Sequence, residues 1–134
     1  MTIVSAAYSR RADEYIELLG SVGAVHVSDR HFIDKSADTT TGRVLDAGCG
    51  PGHWTDHLAR RGLAVRGTDL VPAFIEHARR TYPDVAFDIG DLDDIDERDA
   101  RLGGVLSWFS TIHHAPDRIW APIAEIARVL RPDG

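Results

Sequence analysis

The stretch VLDAGCGPGHWTDHLA, residues 44–59, sets a short apolar run against an acid, three glycines at alternate positions and a helical pattern. Glycine costs backbone entropy wherever it sits, so three of them at one join need a reason. A turn straight from a strand into a helix demands unusual dihedrals, which Gly48, Gly50 and Gly52 adopt without a Cβ clash. Missing side chains also let a ligand touch the backbone, and the helix that follows offers free N–H groups. The stretch is not a P-loop, because no Lys–Ser/Thr pair follows. It departs from the dinucleotide fingerprint as well: the third Gly comes two residues after the second, and His53 holds the fingerprint position. On these residues alone, a tight strand-to-helix turn with no ligand stays open.

Working outward, the pattern after residue 42 alternates between strand and helix. RVLDA is a short buried strand, residues 53–61 form a helix, and Gly62 is its stop. LAVRGTD is a second strand. VPAFIEHARRTY is a helix with Pro72 near its start, where a missing N–H does no harm. DVAFDIGD places Val85, Phe87 and Ile89 on one face of a third strand, and GGVLSWFS is a fourth. The last helix lies between residues 117 and 130, with Ile119, Ile123, Ile126 and Leu130 as its apolar stripe and its regular part starting near Ala121 because of Pro122. Ahead of this unit, a helix carries Tyr8, Ala12, Tyr15, Ile16 and Leu19 on one stripe, and a weaker helix runs near residues 29–37.

Repeated strand–helix units predict an α/β fold: a parallel sheet with helices on both faces, whose ligands sit beyond the C-terminal strand ends. Two regions follow, residues 1–41 as an N-terminal helical region, which the family resemblance given below makes a lid, and 42–134 as the binding core. The residues to read are those just after each strand. Asp69 closes the second strand, 21 residues beyond Gly48. A carboxylate there accepts both hydroxyls of a ribose. Asp91 closes the third strand, where it can accept from an adenine amino group. Asp46 sits two residues ahead of the first glycine. Three acids at neighbouring strand ends suit a cationic ligand and repel a pyrophosphate.

Composition narrows the partners. The 134 residues suit one domain, with 43% hydrophobic and 27% charged residues and a formal charge of −6. Residues 84–99 hold seven Asp and one Glu against Arg98 alone, a local net of −7 that exceeds the whole imbalance. Such a chain, with no basic tract, is a poor partner for nucleic acid. No run is apolar enough to span a membrane and no start resembles a signal peptide. The single Cys49 makes no internal disulfide, which points to the cytoplasm. His53 and His57 lack metal-ligand partners in sequence, and no metal site is expected.

Taken in order, VLDAGCGPG, VRGTDL, FDIGDL, GGVLSWFSTIHHAP and IARVLRPDG resemble the class I S-adenosylmethionine-dependent methyltransferases, closest to their small-molecule bacterial branch. The resemblance covers roughly residues 8–134. It implies a Rossmann-like sheet and S-adenosyl-L-methionine as cofactor, with S-adenosyl-L-homocysteine as product. It further implies that Gly48, Cys49, Gly50 and Gly52 pass under the methionine part, with Asp46 near its amino group. Asp69 would hold the ribose and Leu70 lie against adenine, with Asp91 and Leu92 flanking the adenine edge. Ser107 and Trp108 would lie near the carboxyl-and-amino end, and Tyr8 and Tyr15 would belong to the lid. His113 and His114 follow the fourth strand, where a proton from the acceptor would be taken up.

The family sheet has the order 3-2-1-4-5-7-6. Within these 134 residues the expected order is 3-2-1-4, strands five to seven being absent. The fourth strand then becomes an apolar edge without protecting charges or prolines. The expectation is that this edge pairs with a second copy in a homo-oligomer, is covered by another segment, or limits solubility. Two readings stand beside methyl transfer to a small molecule: a shortened, catalytically inactive cofactor-binding or interaction module, and a nicotinamide-dependent oxidoreductase, against which the glycine spacing argues.

Overall fold

The computed structural model describes residues 27–107 and 117–134. The element order is α1 (Val27–Asp38), β1 (Arg43–Ala47), α2 (His53–Arg60), β2 (Ala64–Asp69), α3 (Pro72–Thr81), β3 (Ala86–Ile89), β4 (Gly104–Leu106) and α4 (Trp120–Val129). The four strands form one parallel sheet in the order β3-β2-β1-β4. The stripe of Tyr8 and Tyr15, together with Trp108, His113 and His114, lies outside the described residues.

β1 is the central strand, and four of its five residues are buried. In register, Asp46 stands between Gly67 of β2 and Leu106 of β4. The chain crosses from β1 to β2 on one side and reaches β4 on the other. The strand order therefore reverses at β1, which opens a crevice at its C-terminal end.

Three apolar clusters hold the layers. Cys49, Ile75, Ala78 and Phe87 join α3 to β3. Ile33, Ala37, Trp54 and Leu58 join α1 to α2, with Leu106 packed against them. Leu45, Ala47, Ile95, Leu102 and Val129 join the sheet to α4. α2 ends as its sequence predicts: Gly62 takes φ +92° and its N–H bonds the Ala59 carbonyl. Pro72 opens α3.

Two apolar placements differ from the sequence reading. In α4 the buried positions are Pro122 and Val129, while Ile123 is 44% exposed. Pro122 fits inside the first turn, where its missing N–H has no helical partner to lose. It faces the core together with Val129 and the partly buried Ile126. Of the Ile and Leu stripe, Ile119, Ile126 and Leu130 are partly buried and Ile123 alone faces solvent, because the face of α4 turned inward is centred on Pro122 and Val129. In β3, Phe87 is buried but Ile89 is 56% exposed. β3 is an outer strand, and Ile89 is its last residue, at the open end of the sheet.

The acidic segment is anchored rather than loose. Arg128 of α4 donates to the carbonyls of Ile95 and Glu97 and to the carboxylates of Glu125 and Asp99. Glu125 in turn accepts the Ile95 N–H at 2.8 Å, and these bonds hold its carboxyl below the usual range. From the other side, Arg66 of β2 bonds Glu97. The local excess of acid is thereby tied to two arginines on separate elements.

Candidate cofactor-binding site

The glycine turn leaves β1 through three left-handed residues: Gly48 at φ +76°, Gly50 at +57° and Gly52 at +93°. Gly52 has a second constraint. A Cβ there would meet Ala78 Cβ and the Phe87 ring at 2.8 Å. Its missing side chain lets α2 start flush against α3 and β3.

The amides of this turn are directed inward. Gly48 and Cys49 both donate to the Thr68 carbonyl, at 2.8 and 2.9 Å, and Gly52 donates to the Cys49 carbonyl. The Gly50 N–H donates to Asp69 Oδ2 at 2.9 Å. Pro51 has no N–H. The amides of residues 48–52 that carry an N–H are thus all paired within the protein, while the first helical i→i−4 bond of α2 is that of the Asp56 N–H to the Gly52 carbonyl.

Asp69 is half-buried at the end of β2. Its other oxygen, Oδ1, accepts the Val71 N–H at 2.9 Å. Burial pushes its carboxyl up, against the pull of those backbone donors. Each oxygen of a carboxylate has two lone-pair directions, so with the Gly50, Val71 and Leu70 amides as donors the group keeps capacity for a further one. Asp46 is buried at 2% exposure, and the Thr55 hydroxyl donates to its Oδ2 at 2.7 Å. Burial raises its carboxyl to about 7, Thr55 opposing and the Asp69 charge adding to the rise. Gly67 makes this pair sterically possible, since a Cβ there would meet Thr55 Oγ1 at 2.8 Å.

Asp91 is exposed and shapes its own loop, with Oδ1 accepting the Asp93 N–H at 2.9 Å and a bridge to Asp94. Leu92 is partly buried against the cluster under α4, and Leu70 is partly buried after β2. Ser107 directly follows β4 and is partly buried. Cys49 is buried, and burial raises its thiol well above its usual range. The glycine turn, Asp46 and Asp69 therefore form one connected unit, whereas Asp91 stands at its rim.

Three further features lay beyond the sequence reading. Thr55 is the hydroxyl partner of Asp46. His53 and Trp54, on the first turn of α2, each bury a ring nitrogen, Nδ1 and Nε1, that has no hydrogen-bond partner among the described residues. Burial lowers the His53 imidazole to about 4, so it is neutral near pH 7. No residue-type signal marks them, because their environment depends on which face of α2 meets the sheet. Among the described residues no group of three or more His, Cys, Asp or Glu is placed to hold a metal ion.

A sheet that reverses at β1, a glycine turn tied to Asp69 and acids at adjoining strand ends define a Rossmann-like ligand site at the C-terminal strand ends. A family model described as a methyltransferase domain matches residues 44–134. The ubiquinone biosynthesis O-methyltransferase of Neisseria meningitidis is 30% identical over 138 residues, covering 96% of this chain and 58% of that protein. The solved TehB-like S-adenosylmethionine-dependent methyltransferase of Corynebacterium glutamicum superposes with a TM-score of 0.75 at 30% identity, covering 96% of this chain and 70% of the other. Phosphoethanolamine N-methyltransferase 1 of Haemonchus contortus, solved with phosphoethanolamine and S-adenosylhomocysteine, gives 0.74 at 26% identity, covering 98% and 29%. The chain belongs to the class I S-adenosylmethionine-dependent methyltransferases. It spans a little over half the length of the Neisseria relative.

The residues present fit that cofactor. The buried Asp46 and half-buried Asp69 carboxyl groups offer acceptors for an ammonium and for ribose hydroxyls. No helix among the described residues is long and apolar enough to cross a membrane.

Proposed function

We propose that this chain binds S-adenosylmethionine and serves methyl transfer to a small-molecule acceptor. The observation that carries the reading is the Gly50–Asp69 bond, which locks the glycine turn to a carboxylate that keeps acceptor capacity at the strand end. When bound, the cofactor supplies a methyl group on a sulfonium, so the protein needs no activating nucleophile of its own. Asp69 accepts the ribose hydroxyls, Leu70 and Leu92 enclose the adenine, and Asp91 accepts from its amino group. Gly48, Cys49, Gly50 and Gly52 run beneath the methionine portion, and Asp46 faces its ammonium. Ser107 and Trp108 complete that end. Tyr8 and Tyr15 belong to the N-terminal lid region, residues 1–41, whose α1 is seated on α2, and they exclude water from the core formed by residues 42–134. His113 or His114 takes the proton of a hydroxyl or amine acceptor.

The chain's acidity favours a small acceptor over a nucleic acid, and we place the protein in the cytoplasm on its single buried thiol. We also propose self-association along β4. Among the described strands β4 pairs with β1 alone. A groove of about 200 Å³ beside it, lined by Phe32, Ala37, Val44, Leu58, Val105 and Leu106, is largely apolar. Sedimentation at low concentration distinguishes a dimer from a stable monomer. Methyl transfer from labelled S-adenosylmethionine to a panel of phenols, carboxylic acids and amines tests the activity; binding without any turnover would remove the catalytic part.

A further inference from the structure

We infer that the donor site exchanges a proton for a cation: Asp46 holds a proton in the free protein and releases it to solvent when the ammonium of the methyl donor arrives. The inference rests on the proposed donor site and adds to it a control of occupancy by pH. Asp46 and Asp69 flank one glycine turn, the first buried and the second half-buried. Among the described residues no Lys, Arg or His forms an ion pair with either. Two such charges would repel each other and lose hydration together, so one carboxyl keeps its proton. The hydrogen-bond donors decide which one. Asp69 accepts the backbone N–H groups of Gly50, Val71 and Leu70, which favour its charged form. Asp46 lies deeper and accepts, among the described residues, a single hydroxyl, that of Thr55 at 2.7 Å. The charge therefore rests on Asp69 and the proton on Asp46. Burial lifts the Asp46 carboxyl to about 7, with Thr55 opposing and the Asp69 charge adding.

The surrounding elements supply no competing cation. The register partners of Asp46, Gly67 on β2 and Leu106 on β4, are uncharged. The Cys49 thiol in the turn is raised well above its usual range by burial and stays neutral. On α2, His53 is neutral near pH 7, while Asp56 and His57 are paired with Arg60 and Asp34. On α1, Asp34 and Asp38 are tied to α2 through His57 and Arg61. On α3, Arg79 and Arg80 turn to Asp88 and Glu76. α4 packs on Leu45 and Ala47, which strand alternation puts on the opposite face from Asp46. A cation brought by a ligand is then the opposite charge that favours the carboxylate of Asp46. Below about pH 7 the free protein carries this proton and the occupied site does not, so affinity rises with pH and levels above that value.

The test counts protons. Calorimetry of the wild type, Asp46→Asn and Thr55→Val with S-adenosylhomocysteine is run near about pH 6.5 in phosphate and in imidazole buffer, whose ionisation heats differ, so that the heat difference gives the protons exchanged. The wild type should release about half a proton or more and Asp46→Asn none, and wild-type affinity should rise severalfold, up to about tenfold, over one pH unit below that point. The counterpart without the amino group, which carries a 3-carboxypropyl chain on sulfur, should bind with no release. Thr55→Val loses the hydroxyl that favours the charged form, so it should release more than the wild type near about pH 7.5; this decides the matter if Asp46→Asn does not fold. Wild-type binding without proton release, or equal release from Asp46→Asn or with the 3-carboxypropyl ligand, overturns the exchange while leaving the donor site standing. A wild type that binds neither ligand overturns both.

Discussion

The backbone N–H of Gly50 donates to Asp69 Oδ2 at 2.9 Å, joining the turn after β1 to the end of β2 across 19 residues. Oδ1 of the same carboxylate takes the Val71 N–H that opens α3. Two backbone donors thus require two acceptor oxygens. Asp69→Asn supplies one oxygen and turns an amide NH₂ toward the other donor. The expected result is a stability loss of about 1–3 kcal/mol and a loss of affinity for S-adenosylhomocysteine. Unchanged unfolding and binding would show that the carboxylate is dispensable.

Gly52 and Gly62 share nearly the same backbone, at φ +93° and +92°. They differ in surroundings: a Cβ at Gly52 strikes Ala78 and Phe87 at 2.8 Å, and one at Gly62 meets nothing within 4 Å. Gly62→Ala should cost about 1 kcal/mol, the left-handed penalty alone. Gly52→Ala should cost that plus overpacking, ~2–4 kcal/mol in all. Denaturant unfolding of the two variants separates backbone strain from contact, and equal losses would count against the tight seating of α2.

Asp46 gives stability a pH dependence of a stated sign. Its carboxyl rises from 3.8 to about 7 on folding, mainly by burial. Between those values the folded chain holds a proton that the unfolded chain has released. Stability contributed at this site is therefore whole below about pH 4, falls as pH rises, and levels above about pH 7. Asp46→Asn removes the slope, so the variant gains on the wild type by up to ~1.4 kcal/mol per pH unit in that window. A difference that stays flat from pH 4 to 7 would contradict it. His53 slopes the other way, because its imidazole falls to about 4 and its contribution is lost as pH drops from 6.5. The difference between paired variants, rather than the wild-type curve, isolates Asp46.

Arg128 should govern the acidic connection. Its bonds reach Ile95, Glu97 and Asp99, and Glu125 holds the Ile95 N–H. Arg128→Leu is expected to speed hydrogen exchange at Ile95 and its neighbours, while the amides of β1 stay protected. A uniform change across the sheet, or none, would show the segment is held by other means.

Much of this was legible in residues 44–69. Glycines forced into left-handed dihedrals and acids at strand ends are local facts; the parallel pairing followed from the strand–helix alternation, and the order β3-β2-β1-β4 from the family resemblance. What stayed hidden depends on facing surfaces. The inward role of Pro122 follows from the rotation of α4 against Val129 and the sheet. Ile89 reads as a core residue by alternation, yet ends an outer strand in solvent. The pairing of Thr55 with Asp46 needs Gly67, the register partner of Asp46 on the neighbouring β2, to leave room. The unpaired nitrogens of His53 and Trp54 emerge only once α2 is seated.

The most direct measurement is calorimetric titration of this 134-residue chain with S-adenosylhomocysteine, run beside NAD and beside Asp69→Asn. The structure predicts saturable one-to-one binding of S-adenosylhomocysteine, none of NAD, and about tenfold or greater weakening in the variant. Binding of NAD, or a wild type indifferent to S-adenosylhomocysteine, would contradict the assignment of the glycine turn to a methyl donor.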